Sequence, residues 1–279
     1  MGKLYLVPTP IGNLKDITLR ALEVLKQCDL VAAEDTRQSL KLLNHFEIRK
    51  PMLSYHQHNE QGKSDNIIEK LRENKIIALV TDAGTPGISD PGSVIVKKCI
   101  EENLDFEVLP GATATTTALV YSGLDTTKFL FRGFIPRENK ERKPFMEEIK
   151  NCKETLIFYE APHRLLNTLN FILESLGDRK IAICRELTKM HEEIIRGTLS
   201  ETIEHYNEKN PRGEYVLVIE GKTDEEIMEE AMKTWENLSI EEHILKYMGE
   251  GNSKKDSMKL VAKERGIPKS EVYKYSLEL

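Results

Sequence analysis

The chain has 279 residues, of which 39% are hydrophobic and 31% charged, with a formal net charge of −6. That length exceeds the usual single-domain size and the composition supplies real apolar cores, so two domains with a small appendage are expected. The acidic balance excludes a surface coated for nucleic acid but not a local basic face, because salt confines each patch to about 8–10 Å.

Taken in order, Leu4-Tyr5-Leu6-Val7 reads as a strand and 16–27 as a helix with Ile17, Ala21, Leu22, Val24 and Leu25 on its apolar side. A strand at 29–33 and a helix over 36–46 follow, then a strand at 52–55, a helix over 59–73, a strand at 75–81, a helix over 93–102 and a strand at 106–109. These strand runs are apolar without alternating, as strands covered on both faces are. Residues 1–120 are therefore expected to form an α/β domain around a mostly parallel sheet.

After a break at Tyr121-Ser122-Gly123-Leu124-Asp125, residues 125–222 carry strands at 128–133, 155–159, 180–185, 193–198 and 215–220 and helices over 138–151, 161–176 and 199–209. A second α/β domain with a mixed, more antiparallel sheet is expected. Residues 225–279 keep no strand signal. Short helices at 240–248, 253–264 and 270–277, with a sharp turn at Arg265-Gly266-Ile267-Pro268, predict a helical module of helix-turn-helix type.

No apolar run reaches the roughly 20 residues that span a bilayer. The start, Met1-Gly2-Lys3-Leu4-Tyr5-Leu6, lacks both a signal peptide's apolar core and the hydroxyl residue that a myristoylation motif needs at Leu6. A cytoplasmic protein without membrane attachment is expected. Cys28, Cys99, Cys152 and Cys184 are scattered and form no CxxC pair, so neither a zinc ribbon nor a redox motif is expected.

In open α/β sheets, ligands sit beyond the carboxyl ends of the strands. Three strands of the first half end there in Gly/Pro turns: Val7-Pro8-Thr9-Pro10-Ile11-Gly12-Asn13, the run from Thr81 through Asp82 and Asp90 to Gly92, and Leu109-Pro110-Gly111-Ala112-Thr113-Ala114. Glycine permits close backbone approach and proline stiffens the turn, so three such turns together suggest a built crevice. The chain has no GxGxxG. Gly62-Lys63-Ser64 imitates the end of a P-loop, but Gln57 stands where its first glycine belongs. Side-chain-poor turns suit a neutral nucleoside better than a polyphosphate, with Asp82 available to a ribose hydroxyl or a cationic sulfonium.

These segments carry a resemblance. LVPTPIGN, AEDTR (33–37), SYHQHNE (54–60), TDAGTPGISDPG, LPGATA, GFIPR (133–137) and FYEAPHR (158–164) resemble the tetrapyrrole methylase superfamily, the class III S-adenosylmethionine methyltransferases. Within it they resemble the subfamily that methylates the ribose 2′-oxygen of a cytidine in the decoding region of 16S rRNA, in the expected order over about residues 3–222; Thr113 departs from a common serine. The resemblance implies a homodimer that binds S-adenosylmethionine and acts on the small ribosomal subunit. It places Pro10 and Ile11, then Ala83, Gly84, Thr85 and Ile88, then Gly111, Ala112, Thr113 and Ala114 around the cofactor, with Tyr159 and Gly213-Glu214 closing the pocket from the second domain.

Other residues admit two readings each. Glu34-Asp35-Thr36-Arg37 is either a helix cap or a group that orients a substrate ribose. Glu160 and His163, in Glu160-Ala161-Pro162-His163-Arg164, are either a capped turn or crevice groups. A ribose hydroxyl is a poor acid, so Glu34, Asp35, Glu160 and His163 are all open as proton acceptors, although positioning alone can supply much of the rate. His56 and His58 share a side of an extended segment, but no third ligand accompanies them and no metal is expected. Arg137, Lys140, Arg142 and Lys143, and Lys254 and Lys255 in the tail, are either solvated charge or contacts to an RNA backbone. Two rivals remain: methylation of a tetrapyrrole or protein side chain on the same scaffold, and a non-catalytic ribosome-assembly factor that binds RNA.

Overall fold

The computed structural model describes residues 2–235 and 237–276. Strands β1 (Lys3–Leu6), β2 (Leu30–Ala33), β3 (Met52–Ser54), β4 (Ile76–Val80) and β5 (Phe106–Val108) form one sheet in the order β3-β2-β4-β1-β5. Every pairing in it is parallel. Helices α1 (Leu19–Gln27), α2 (Thr36–His45), α3 (Glu60–Arg72) and α4 (Ser93–Glu101) link the strands. Side chains alternate across the sheet, so β4 sends Ala78 and Val80 into one core with Leu25 and Leu43 and Ile77 and Leu79 into the other with Ile67 and Ile95. Both faces are covered, which is why these strands read as unbroken apolar runs.

Helix boundaries follow caps that hydropathy does not register. The first helix begins at Leu19 and not at 16, because the Thr18 hydroxyl accepts the Ala21 N–H at 3.0 Å. Leu14–Asp16 forms a separate 3₁₀ turn. The helix expected over 161–176 starts as a 3₁₀ turn over Pro162–Arg164 and continues as α7 (Leu165–Leu176).

The sequence predicts no helix between the third Gly/Pro turn and the break at 121–125, yet α5 (Ala114–Ser122) is there. Its buried residues, Thr115, Ala118, Leu119 and Ser122, fall at helical spacing. Two of the four carry hydroxyls, while Val120 and Tyr121 face outward, so the stripe has no apolar contrast. The hydroxyls are satisfied locally: Ser122 Oγ donates to the Leu119 carbonyl at 2.7 Å, and Thr115 Oγ1 lies 2.9 Å from Tyr159 Oη. Helix α5 packs on the second sheet, where Ala118 and Leu119 meet Ala182, Cys184, Val216 and Val218.

That second sheet is mixed. Strands β6 (Phe129–Phe134), β7 (Thr155–Glu160), β8 (Lys180–Arg185), β9 (Glu193–Thr198) and β10 (Tyr215–Ile219) lie in the order β6-β7-β10-β8-β9. β6 and β7 are parallel and the remaining pairs antiparallel. Helices α6 (Asn139–Ile149), α7 and α8 (Leu199–Asn207) cover its far face around Phe158, Leu169 and Leu217. The chain thus holds two α/β domains, the first with a parallel and the second with a mixed sheet, and a small helical module follows. Four helices build the module: α9 (Asp224–Trp235), α10 (Ile240–Gly249), α11 (Lys254–Arg265) and α12 (Lys269–Ser276), around Ile244, Val261, Ala262 and Val272. The expected last helix extends to Leu277, which lies outside the described residues. Among the described residues no helix is long and apolar enough to cross a membrane.

Candidate active site

Strands β4, β1 and β5 are neighbours, so the three Gly/Pro turns emerge side by side. The first two are stitched together by an isolated antiparallel bridge. Thr9 N–H donates to Gly84 O at 2.9 Å and Gly84 N–H to Thr9 O at 3.0 Å, and the Thr9 hydroxyl donates to Thr81 O at 3.0 Å. Gly84 sits at φ +80, a region that side chains disfavour. The second and third turns are joined by Thr85 Oγ1 donating to Ala112 O at 3.2 Å. Gly111 permits the closest approach among the glycines of these turns: a Cβ there would lie 2.4 Å from Pro8 Cβ.

A cleft of about 430 Å³ opens between these turns and the second sheet. Ile11, Asp82, Ala83, Gly84, Thr85 and Ile88 line it from the first and second turns, and Thr113 and Ala114 from the third. Tyr159 and Glu214 close it from the second domain. Four residues named from the sequence act around the cleft without lining it. Pro10 faces an adjoining cavity. Ala112 supplies the carbonyl that holds Thr85, and Gly111 packs on Pro8. Gly213, at φ +85, lets the chain pass Glu186, so that Glu214 N–H can donate to Glu186 Oε1 at 2.9 Å.

Ser89, Asp90, Phe134, Leu187, Tyr215 and Val216 also line the cleft and are not singled out by the sequence. Phe134 had a signal: Gly133, inside a strand, sits at φ +64 where the β6–β7 register shifts, and a strand glycine marks such a bulge. The bulge brings Phe134 edge-on to Tyr159, ring centres 5.8 Å apart, with Phe131 at 4.9 Å from the same ring. Asp90 lies within the second motif, where the glycines and prolines carry the sequence signal.

Charge in the cleft has one sign. Glu34, Asp82, Asp90, Glu160 and Glu214 line it, and no lysine, arginine or histidine does so among the described residues. Burial raises the Glu34 pKa, with Asp90 and Asp82 pushing the same way against a hydrogen bond from the Asp82 backbone. Burial also raises Asp82, opposed by the Asp35 N–H that it accepts at 3.1 Å. Asp90 is pushed up to about 6 by burial and then by Asp82. Such a lining repels polyphosphates and favours a ligand with positive charge. With aromatic and aliphatic walls and small residues at the turns, it fits a nucleoside that carries a sulfonium, as S-adenosylmethionine does.

The proposed acid–base residues separate. Glu34 lines the cleft. Asp35 caps α2, its Oδ1 accepting the Arg37 N–H at 2.8 Å, and neither Asp35 nor Arg37 reaches the cleft. Glu160 is buried with both oxygens engaged: Oε1 accepts the Ala161 N–H at 2.8 Å and Oε2 the Thr168 hydroxyl at 2.6 Å, with Arg164 Nε at 3.5 Å. A carboxylate tied in this way holds the turn between β7 and the 3₁₀ segment. His163 is exposed and lies outside the cleft lining.

Arg137, Lys140 and Lys143 are exposed, with Lys140 paired to Glu138 at 2.8 Å. Arg142 is not part of that surface. It is 7% exposed, its guanidinium stacks 3.9 Å from the Phe171 ring centre, and Nη1 donates to Asn167 Oδ1 at 2.9 Å. Its apolar stem made α6 packing an open option that charge counting overlooks. Lys255 is exposed and Lys254 half-buried at the start of α11. His56 shares a 3.0 Å contact with Asn59 Nδ2 in a local turn.

The chain is similar to known proteins in sequence and in fold. A family profile described as Tetrapyrrole (Corrin/Porphyrin) Methylases matches residues 3–203. The "Ribosomal RNA small subunit methyltransferase I" of Bacillus subtilis (strain 168) is 52% identical over 273 residues, covering 98% of this chain and 93% of that one. The protein of the same name from Thermotoga maritima is 46% identical over 222 residues, covering 80% of this chain and 100% of its own. Among solved structures, a diphthine synthase shares the fold with a TM-score of 0.64 at 14% identity, over 80% of this chain and 91% of that one.

Proposed function

The chain belongs to the tetrapyrrole (corrin/porphyrin) methylase family, within the group of ribosomal RNA small subunit methyltransferases I, and from that premise we propose that it methylates the ribose 2′-oxygen of a cytidine in 16S rRNA, with S-adenosylmethionine as donor. The observation that carries the donor site is the cation-free, acid-lined cleft at the ends of three adjacent parallel strands. The 2′-oxygen and the cytidine rest on the motif resemblance.

When bound, the donor supplies a methyl group on a cationic sulfur; transfer leaves a neutral thioether and one proton from the acceptor hydroxyl. What remains is the work of the chain. Ile11, Ile88, Phe134 and Tyr159 would form the apolar walls around the bound donor. The anionic lining would hold the sulfonium. Asp82 keeps Oδ1 on the Asp35 N–H, and its raised proton affinity suits Oδ2 to receive the released proton. Holding the two reactants in register lowers the barrier further, by up to several kcal/mol in order of magnitude.

Exposed Arg137, Lys140, Lys143 and Lys255 support contact with an RNA backbone outside the cleft. The resemblance further supports a homodimer. A relative matched over its whole length by 80% of this chain supports a catalytic unit smaller than the full polypeptide.

Incubation with methyl-labelled donor and, separately, unmethylated small subunits, free rRNA and a tetrapyrrole tests the reading. Label in a 2′-O-methylcytidine after nuclease digestion supports it. Label on the tetrapyrrole alone, or donor binding without transfer, overturns it.

A further inference from the structure

We propose that the cavity adjoining the donor cleft, across the Thr9–Gly84 bridge, is the chamber that receives the target nucleotide of the RNA. It measures about 390 Å³ and is bounded by the first turn, by Gln38, Ser39 and Lys41 of α2, and by Lys189 of the second domain. Ile11, Asp82, Ala83 and Glu214 line both this cavity and the donor cleft, so the two chambers share one wall. The inference rests on the reading that an rRNA nucleotide is the methyl acceptor, and it adds where that nucleotide sits.

Three observations carry it. The first is Ser39. A serine inside a helix ordinarily bonds its hydroxyl to the carbonyl one turn back. The Ser39 hydroxyl has no hydrogen-bond partner among the described residues, although the residue is only 4% exposed and lines the cavity. A buried hydroxyl left unsatisfied is costly, so a polar group presented by a ligand is the natural complement.

The second is charge. Among the described residues the donor cleft has no cation in its lining, whereas this cavity has Lys41 and Lys189. Lys189 is bound to Glu186 and Glu214 at 2.9 and 2.8 Å. Lys41 has no carboxylate partner among the described residues and donates only to Gln38 Oε1, at 3.0 Å. Adjacent chambers, one anionic and one with a lysine at its rim, match a cationic donor beside an acceptor flanked by phosphates.

The third is position. Asp82 lies in the shared wall, so a ribose held in the second chamber has its hydroxyl at a carboxylate that also faces the donor. Single-stranded RNA offers nucleotides that can be splayed out of the stack into such a chamber.

The test uses the full-length protein and three variants: Gln38→Trp, which plugs the chamber from an exposed position, Lys41→Glu, and Ser39→Ala. Binding of the demethylated donor is measured by calorimetry, and methyl transfer to unmethylated small subunits by steady-state kinetics. Gln38→Trp and Lys41→Glu are expected to lower kcat/KM for the subunit by roughly tenfold or more, and Ser39→Ala by roughly threefold to tenfold, with donor-product affinity held within about twofold. Unchanged transfer in Lys41→Glu together with folded Gln38→Trp overturns the proposal. So does loss of donor-product binding in Lys41→Glu, which would make the cavity part of the donor site. A wild-type protein that labels no rRNA refutes the parent reading instead, and is recognised before any variant is compared.

Discussion

Replacing Asp90 by asparagine should stabilise the cofactor-free protein at neutral pH while weakening its hold on the methyl donor. Burial and Asp82 lift the Asp90 carboxyl from 3.8 to about 6, and no hydrogen bond to its side chain is present to be lost among the described residues. A group whose folded pKa is raised binds its proton more tightly in the folded state. Stability therefore falls as pH rises from about 4 to about 6, and the penalty is fully present above that window. Two units at about 1.4 kcal/mol each set a ceiling near 3 kcal/mol. Partial solvent screening reduces this to about 1.5 kcal/mol at pH 7.5 and about 0.5 kcal/mol at pH 4.5. Thermal unfolding of Asp90→Asn should then rise by about 3–6 °C at pH 7.5 and by about a third of that at pH 4.5. Calorimetric titration should show weaker binding of the sulfonium donor and little change for its neutral thioether product. An equal gain at both pH values, or no gain at neutral pH, would refute the charge argument.

Tyr159→Phe leaves the Thr115 hydroxyl without its 2.9 Å partner and should cost about 1–3 kcal/mol in unfolding free energy, with a matching rise in the donor dissociation constant. Denaturant titration and calorimetry measure the two. Gly111→Ala forces a Cβ to within 2.4 Å of Pro8, so a loss of about 1–3 kcal/mol is expected on chemical denaturation. Because the first and third turns must part, donor binding should weaken as well. Lys254→Glu with Lys255→Glu should raise KM for small subunits several-fold, flatten the dependence of transfer on salt, and leave donor affinity unchanged. A donor affinity that falls in step with KM would show the module to be structural.

Most of the strands were legible because both faces of each sheet are covered, which turns a strand into a short apolar block between glycines and prolines. Helix ends were less so. Thr18 sets the start of α1 through a hydroxyl, a polar decision that an apolar count cannot see. Helix α5 was invisible because its buried stripe is half Thr and Ser, which resemble solvent-facing residues until Tyr159 and a backbone carbonyl are found opposite them. In the site, the three turns declared themselves through glycine and proline. The carboxylates did not. Glu160 and Asp90 look alike in sequence, yet the first has both oxygens bound and the second has no side-chain hydrogen bond among the described residues. Arg142 likewise joined a basic run by its neighbours in the chain, while its place is set by Phe171 and Asn167, well apart in sequence.

Helix α5 begins in the third turn of the donor cleft and ends its course lying along the second sheet. The seam between the two halves therefore does not follow the flexible-looking stretch at Gly123. To obtain either half as a separate polypeptide one would divide the chain ahead of Ala114, so that the second fragment keeps its own cover for Val216 and Val218. Neither fragment would then retain a donor pocket, and recovery of donor binding on mixing would report reassembly. The pocket is a property of the joint.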